Sequence, residues 1–171
     1  MLKKRTTWWL RSLLLVITGL ILCSLPAYAS RQPFGTLWDD TLPDIIYGAD
    51  TSGDGSLIVY GGRDGVVCAR DGDGNALWDH NVGGTALHVE VSADGERVAV
   101  ATETRIVSLF DRDGDLLWTH STRMPPVGLG ISDDGTLAVV AEERSPRVTV
   151  LDTSTGEIVY RADYDVRMEY V

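Results

Sequence analysis

Tryptophan recurs at a constant spacing along most of this chain, at Trp38, Trp78 and Trp118. Each of these residues follows a leucine. A Ser-x-Asp-Gly sequence follows each of them at an equally constant distance, and these sequences begin at Ser52, Ser92 and Ser132. Two landmarks that stay in phase over three copies indicate a repeated structural unit. A period of about 40 to 45 residues with strand-like content is typical of a β-propeller blade.

Each repeat has the content of four short strands. In the middle copy, segments 97–102, 105–111 and 116–121 are rich in β-forming residues, and Asp and Gly bound them. Asp-Gly pairs suit tight hairpins because glycine accepts a positive φ. The sequence therefore predicts an all-β fold: a partial β-propeller of about three four-stranded antiparallel blades, preceded by a helical signal peptide.

The repeat also sets the predicted domain boundaries. We expect a signal peptide over residues 1–29 and propeller repeats over residues 30–171. Predicted blades and their flanking partial blades cover 34–41, 45–81, 85–121, 127–163 and 166–171. An open arc of blades would expose apolar faces and unpaired strand edges. We therefore expect either that this sequence is a fragment of a longer propeller or that copies self-associate into a ring.

The N-terminal segment, positions 1–29, has the order of a secretory leader. Four basic residues come first, an apolar run spans Leu13 to Leu25, and a small-x-small sequence ends at Ala29. This order predicts cleavage near Ala29 and a secreted, periplasmic or cell-surface location. An uncleaved anchor is the alternative, although the run is short for a membrane span. A lipid anchor at Cys23 is disfavoured because Leu22 precedes it where a small residue is expected.

The negative charge of the chain lies entirely outside this leader. The leader holds four of the 15 basic residues and none of the 25 acidic ones, which leaves 11 arginines and a net charge of −14. A surface this acidic argues against binding nucleic acid or an anionic membrane. The expected partner is a protein or a cell-envelope ligand, and no integral membrane span is expected in the mature chain.

The corner between the third and fourth strands carries a motif that resembles a known family. Asp152-x-x-Thr155-Gly156-x-x-x-Tyr160, and the shorter form that runs from Asp71 to Trp78, resemble the docking motif of pyrroloquinoline-quinone-like propeller repeats. Only the last copy has Thr-Gly, and it has Tyr160 in place of the tryptophan. The Ser-x-Asp-Gly turn resembles WD-repeat-like propellers. We expect an aromatic residue to dock between adjacent blades at each of four repeat positions: Trp38, Trp78, Trp118 and Tyr160.

The same corners contain the candidate metal ligands. Their carboxylates stand at alternate positions, a spacing that calcium loops also use, and the candidates are Asp71, Asp73, Asp111, Asp113 and Asp115. Hairpin turns favour Asp and Gly without any metal. Structural turns are therefore the preferred interpretation, and weak calcium binding is the alternative. No other cofactor and no catalytic residue is predicted.

A few isolated residues lie where a ligand would bind a propeller. The first strand of a blade lines the central channel, so His88, Glu90 and Asp50 are candidates to face a ligand there. A histidine in such a place is more often solvated or hydrogen-bonded than a ligand. Cys68 aligns with small polar residues in the other repeats, which predicts a packing position.

A uniform repeat without a catalytic constellation favours a non-catalytic role. We expect an extracytoplasmic propeller that acts as a binding or scaffold module, since rigid scaffolds present loops for interaction. Two alternatives stay open. A quinone-dependent dehydrogenase-like enzyme is implied only by the resemblance, and an envelope-assembly factor would be similar to the lipid-anchored propeller of outer-membrane protein insertion.

Overall fold

The computed structural model describes residues 36–145 and 147–163. Within these ranges every regular element is a β-strand. The predicted signal peptide over residues 1–29 and the partial blade at 166–171 lie outside the described residues. In the described part of the chain, no helix has the length and apolar character needed to cross a membrane.

The described strands form three antiparallel four-stranded sheets, each in chain order. Blade 1 contains β1 (Ile46–Thr51), β2 (Ile58–Gly62), β3 (Val66–Arg70) and β4 (Ala76–Asn81). Blade 2 contains β5 (Ala86–Val91), β6 (Arg97–Thr102), β7 (Ile106–Asp111) and β8 (Leu116–Ser121). Blade 3 contains β9 (Pro126–Ile131), β10 (Leu137–Glu142), β11 (Arg147–Asp152) and β12 (Ile158–Asp163). The predicted all-β fold with three four-stranded blades is confirmed.

The first strand of each blade lies on the inner side of the arc. Strand β1 contacts β5, and β5 contacts β9, so these three strands lie side by side. A hydrogen bond from the Val91 amide to Asp50 Oδ2, 2.8 Å long, ties β5 to β1. The inner strands therefore position their side chains as neighbours although a full repeat separates them in sequence.

The hydrophobic core lies between the faces of neighbouring blades. Apolar side chains from the facing sheets of blades 1 and 2 form one cluster, which includes Val59, Val67, Val89, Val98 and Val100. A smaller cluster between blades 2 and 3 contains Ala101, Val107 and Val140. Strands β2, β6 and β7 read as nearly continuous apolar runs because both of their faces are covered.

The Ser-x-Asp-Gly sequence forms the turn between the first two strands of each blade. In blade 1, the Ser52 hydroxyl donates to Asp54 Oδ1 (2.7 Å), and the Ser56 amide donates to the same oxygen (2.9 Å). These hydrogen bonds lower the pKa of Asp54 to about 2. Gly55 has a φ of 71°, a conformation that glycine adopts without a steric penalty.

Residues 37–44 precede β1 and contain no strand. The flanking partial blade predicted at 34–41 overlaps the described residues at 36–41, which form no strand either. A β-strand needs a hydrogen-bonded neighbour, and none of the described strands pairs with this segment. The periodic side chains within the segment nevertheless contact blade 1, as described below.

Candidate functional site

Two hairpin turns of every blade emerge at the same end of the arc. The four strands of a blade alternate in direction, so the turn after the first strand and the turn after the third strand lie at the same end. We call this surface the turn end. It comprises the β1–β2 and β3–β4 turns of blade 1, the β5–β6 and β7–β8 turns of blade 2, and the β9–β10 and β11–β12 turns of blade 3. Its acidic residues are Asp54, Asp71, Asp73, Asp94, Glu96, Asp111, Asp113, Asp115, Asp133, Asp134, Asp152 and Glu157. Arg112 is the only basic residue between the strands of these turns, and Arg97 begins β6 directly after the β5–β6 turn.

Two of the predicted calcium ligands use their oxygens to hold the chain in a turn. Asp71 Oδ1 accepts hydrogen bonds from the amides of Asp73 (3.0 Å) and Asn75 (2.8 Å), and its Oδ2 accepts one from the Asn75 side chain (2.9 Å). The contacts with Asn75 lower the pKa of Asp71. Asp111 accepts from two backbone amides in the equivalent way. Both carboxylates act as turn caps.

The other three predicted ligands cap no turn. Asp73, Asp113 and Asp115 are exposed. Their carboxylates have no hydrogen bond to the described residues. Across the described ranges, no three carboxylate, histidine or cysteine side chains converge where a metal ion would fit. Calcium binding at these turns stays a prediction.

The arginine of the turn end is engaged with neighbouring turns. Arg112 Nη2 donates to Ser56 Oγ at 3.1 Å, which links blade 2 to blade 1. The Gly53 amide donates to the Ala93 carbonyl (2.9 Å) and reinforces the same link. The charge that the turn end offers to solvent is therefore mainly that of carboxylates on rigidly connected loops.

The repeated tryptophans lock each blade to the next element of the arc. Trp78 Nε1 donates to the Arg112 carbonyl at 2.9 Å, and Trp118 Nε1 donates to the Thr153 carbonyl at 2.8 Å. Each indole ring covers a glycine of the neighbouring turn. A Cβ on Gly114 would come within 2.7 Å of the Trp78 ring. The aromatic residue is thus placed between blades, where it buries its ring and pairs its N–H.

Tyr160 occupies the corresponding position of blade 3 in a different environment. It is 59% exposed, and its neighbours Ile158 and Val159 are also exposed. No described blade lies against this face. Trp78 and Trp118 lie between described blades, and the role predicted for Tyr160 stays a prediction.

The inner strands bring two of the predicted channel residues together. Asp50 accepts the Val91 amide, which follows Glu90 directly in β5. Burial and the charge of Asp50 raise the pKa of Glu90. Beside them, a Cβ on Gly48 would lie 2.8 Å from the Val89 amide nitrogen, so glycine permits this close approach of β1 to the His88 backbone. The pair adds negative charge to the inner side of the arc.

A polar cluster around the buried Arg70 of blade 1 was not predicted from the sequence. The guanidinium of Arg70, a residue only 9% exposed, contacts Asp40 Oδ2 (3.0 Å) and Asp79 Oδ1 (2.7 Å). Asp40 also accepts a hydrogen bond from the Tyr60 hydroxyl. Aligning the repeats gives a signal for this cluster, because Arg70 stands where blade 2 has Phe110.

Cys68 lies on the same face of β3 as Arg70. It is 2% exposed, as the predicted packing position requires. Burial and the neighbouring Asp79 raise the pKa of its thiol to about 12, which keeps it protonated at neutral pH. Since the thiolate is the reactive form, this residue is unreactive in the folded protein.

Comparison with solved structures finds β-propellers. BamB from Moraxella catarrhalis has a TM-score of 0.64 and 24% identity, over 74% of this chain and 40% of that one. The WD40 repeats of RRP9 have a TM-score of 0.66 and 15% identity, and the match covers 73% of this chain and 40% of the RRP9 chain. Kuenenia stuttgartiensis hydrazine synthase has a TM-score of 0.63 and 24% identity, and the match covers 78% of this chain and 39% of the hydrazine synthase chain. At such identities the shared property is the fold.

These comparisons also define how much of a propeller the chain contains. It spans 40% of the length of the BamB and RRP9 structures. No curated protein sequence gives a match. The repeat family described as outer membrane protein assembly factor BamB matches residues 34–158, which confirms the resemblance to pyrroloquinoline-quinone-like and WD-repeat-like propellers. The chain belongs to this BamB family of propeller repeats.

Proposed function

We propose that this chain is a non-catalytic binding module of the cell envelope, and that its turn end contacts a protein partner. The observation that carries the proposal is the concentration of uncapped, exposed carboxylates at one end of three interlocked blades. Loops held by a rigid scaffold are typical interaction surfaces. The family description further supports a partner that takes part in outer membrane protein assembly.

The charge of the turn end indicates the chemistry of the partner surface. Asp73 and Asp113 occupy equivalent positions in consecutive repeats, on neighbouring blades, and Asp115 extends the second of these turns. A segment that carries Lys or Arg at matching intervals would complement such an array. Charge complementarity of this kind raises the association rate and is weakened by salt.

Site-specific photocrosslinking tests this proposal in cells of the source organism. A photoreactive residue replaces Asp113 at the turn end, and in a matched variant it replaces Glu103, an exposed acidic residue in the β6–β7 turn at the opposite end of the same blade. We expect the Asp113 position to crosslink to an outer membrane protein assembly component and the Glu103 position not to. Equal crosslinking from both ends, or none from Asp113, would contradict the proposal.

Neutralising the carboxylates provides the second arm of the experiment. The triple variant Asp73→Asn, Asp113→Asn, Asp115→Asn changes exposed side chains that cap no turn, so the fold is expected to persist. We expect it to lose the crosslink that a photoreactive residue at Glu96, an exposed residue of the turn end, gives in the parent background. As a check on the non-catalytic role, adding pyrroloquinoline quinone and calcium to the purified chain is expected to give no dye reduction.

A further inference from the structure

The three docking interfaces share one contact between a tryptophan and a glycine turn, which we call the Trp–Gly lock. In each interface a tryptophan N–H donates to a carbonyl of the following β3–β4-type turn, and the indole covers the glycine of that turn. Trp38 belongs to the segment of residues 37–44, and it docks on blade 1 at Gly72 and Gly74 as Trp78 docks on blade 2. Because the lock is the same in all three interfaces, it cannot determine which segment docks on which blade.

A second contact differs from one interface to the next. It involves the residue two positions after the tryptophan and the residue at the outer end of the third strand that faces it. In the first interface, Asp40 meets Arg70. In the second, His80 stacks on Phe110 with ring centroids 5.5 Å apart. In the third interface, the residue two positions after Trp118 is again a histidine, His120, and the residue equivalent to Phe110 is Leu151.

Among the three described blades, only blade 1 has a docking face with a basic and a hydroxyl side chain that contact a carboxylate. Tyr60 and Arg70 both contact Asp40, and the Arg70 guanidinium lies 5.7 Å from the centre of the Tyr60 ring. The residues that replace Tyr60 in the other blades are Val100 and Val140, both almost completely buried. A carboxylate placed against those valines would lose its hydration without gaining a partner, which is strongly unfavourable.

We propose that the face of blade 1 formed by Tyr60, Cys68 and Arg70 is a selective docking surface for a Trp-x-carboxylate segment. Residues 37–44 of the same chain are its occupant, and the Asp40–Arg70 contact selects them. Docking of a histidine segment on blade 1 is also unfavourable. A histidine segment on blade 1 would leave the buried Arg70 with Asp79 as its only carboxylate and the Tyr60 hydroxyl without an acceptor.

Cys68 is buried beside Arg70, which the segment contacts, so we expect the reactivity of its thiol to increase when the segment undocks. The assay uses the full chain with Cys23→Ser, so that Cys68 is the only thiol of the two cysteines in the sequence. An amide at this position can still accept the hydrogen bonds, but it loses the charge that pairs with Arg70, and charge-assisted hydrogen bonds are roughly twice as strong as neutral ones. We therefore expect Asp40→Asn to label faster than the parent with a thiol reagent. Asp39→Asn, an exposed neighbour, is the matched control and is expected to label like the parent.

Exchanging the Asp–Arg contact for a His–Phe contact tests whether this pair selects the docked segment or only stabilises the fold. Asp40→His and Arg70→Phe are each expected to increase labelling, whereas the double variant recreates the His–Phe pair of the second interface and is expected to restore protection. A double variant as reactive as the single ones, with unchanged circular dichroism of the strands, would overturn the proposal. So would an Asp40→Asn variant that labels at the parent rate.

Synthetic peptides added to the Asp40→Asn protein provide a measurement that does not depend on refolding a variant blade. A peptide of residues 37–44 is expected to slow the labelling of Cys68. A peptide of residues 77–84 carries the same Leu-Trp-Asp sequence with His80 at the selecting position, and it is expected to give no protection. Equal protection by the two peptides would show that the tryptophan lock alone determines docking and would refute the selective surface.

Discussion

The docking of tryptophan on glycine predicts a large penalty for a single methyl group. In Gly114→Ala, the new Cβ would lie 2.7 Å from Trp78 Cγ and 2.9 Å from its Cδ1 and Cδ2 atoms, at a residue whose φ is 90°. The left-handed backbone costs an alanine about 1–2 kcal/mol. Overpacking against the ring adds about 1–3 kcal/mol. The free energy of unfolding should therefore fall by about 2–5 kcal/mol.

Gly83→Ala is the matched control for the backbone contribution. Gly83 has a φ of 77°, and a Cβ there would meet nothing within 4 Å. This variant should lose only the backbone part, about 1–2 kcal/mol. Urea unfolding followed by circular dichroism and by tryptophan fluorescence measures both variants. Equal losses for Gly114→Ala and Gly83→Ala would refute the reasoning, because they would show that the Trp78 ring yields to the methyl group without cost.

Three further predictions concern stability. Burial, and to a smaller extent Arg161, lower the pKa of His120 from its ordinary value. The unfolded chain therefore binds the proton more readily than the folded chain, and the urea midpoint should fall as the pH drops from 7.5 to 5.5. The midpoint of His120→Gln should fall less. The pKa of Asp54 is depressed from 3.8 to about 2. Its contribution to the stability of the folded protein is therefore present above pH 4 and should be lost towards pH 2. The stability of Asp54→Ser should fall less over this range. Phe110→Ala removes a ring that stacks on the aromatic side chains of blade 1 and should cost about 3–5 kcal/mol in thermal or urea unfolding, whereas Phe110→Leu should cost less because Leu151 fills the equivalent position of blade 3.

The strands could be predicted from the sequence because local patterns determine them. The segments predicted at 97–102 and 116–121 coincide with β6 and β8. Their ends are set by Asp-Gly turns, whose geometry depends on residues within the turn itself. The segment near 34–41 shows the limit of this reasoning. Its residues repeat the pattern of β4 and β8, yet residues 36–41 form no strand, because strand structure also requires a paired neighbour.

The chemistry of the turn end could be predicted only by residue type. The spacing of Asp71 and Asp73 suggests equivalent calcium ligands, but the structure uses both oxygens of Asp71 to accept hydrogen bonds and leaves Asp73 exposed. Which carboxylate is a cap depends on where backbone amides point after the chain turns. The contact between Asp40 and Arg70 joins residues far apart in sequence, and predicting it requires both the repeat period and the strand face to be known.

A uniform lock and a variable second contact serve different needs of a repeat protein. Neighbouring blades in a repeated array are coupled mainly through their shared interfaces, so an identical Trp–Gly lock gives each junction a similar geometry and keeps the turn-end carboxylates at a regular spacing. Identical junctions would also permit a segment to dock one blade out of register, since each tryptophan fits each glycine turn. The charged pair of the first interface removes this ambiguity for residues 37–44, because a buried guanidinium such as that of Arg70 is destabilising when it loses a carboxylate partner. Specificity in this arc therefore resides in the residues that depart from the repeat.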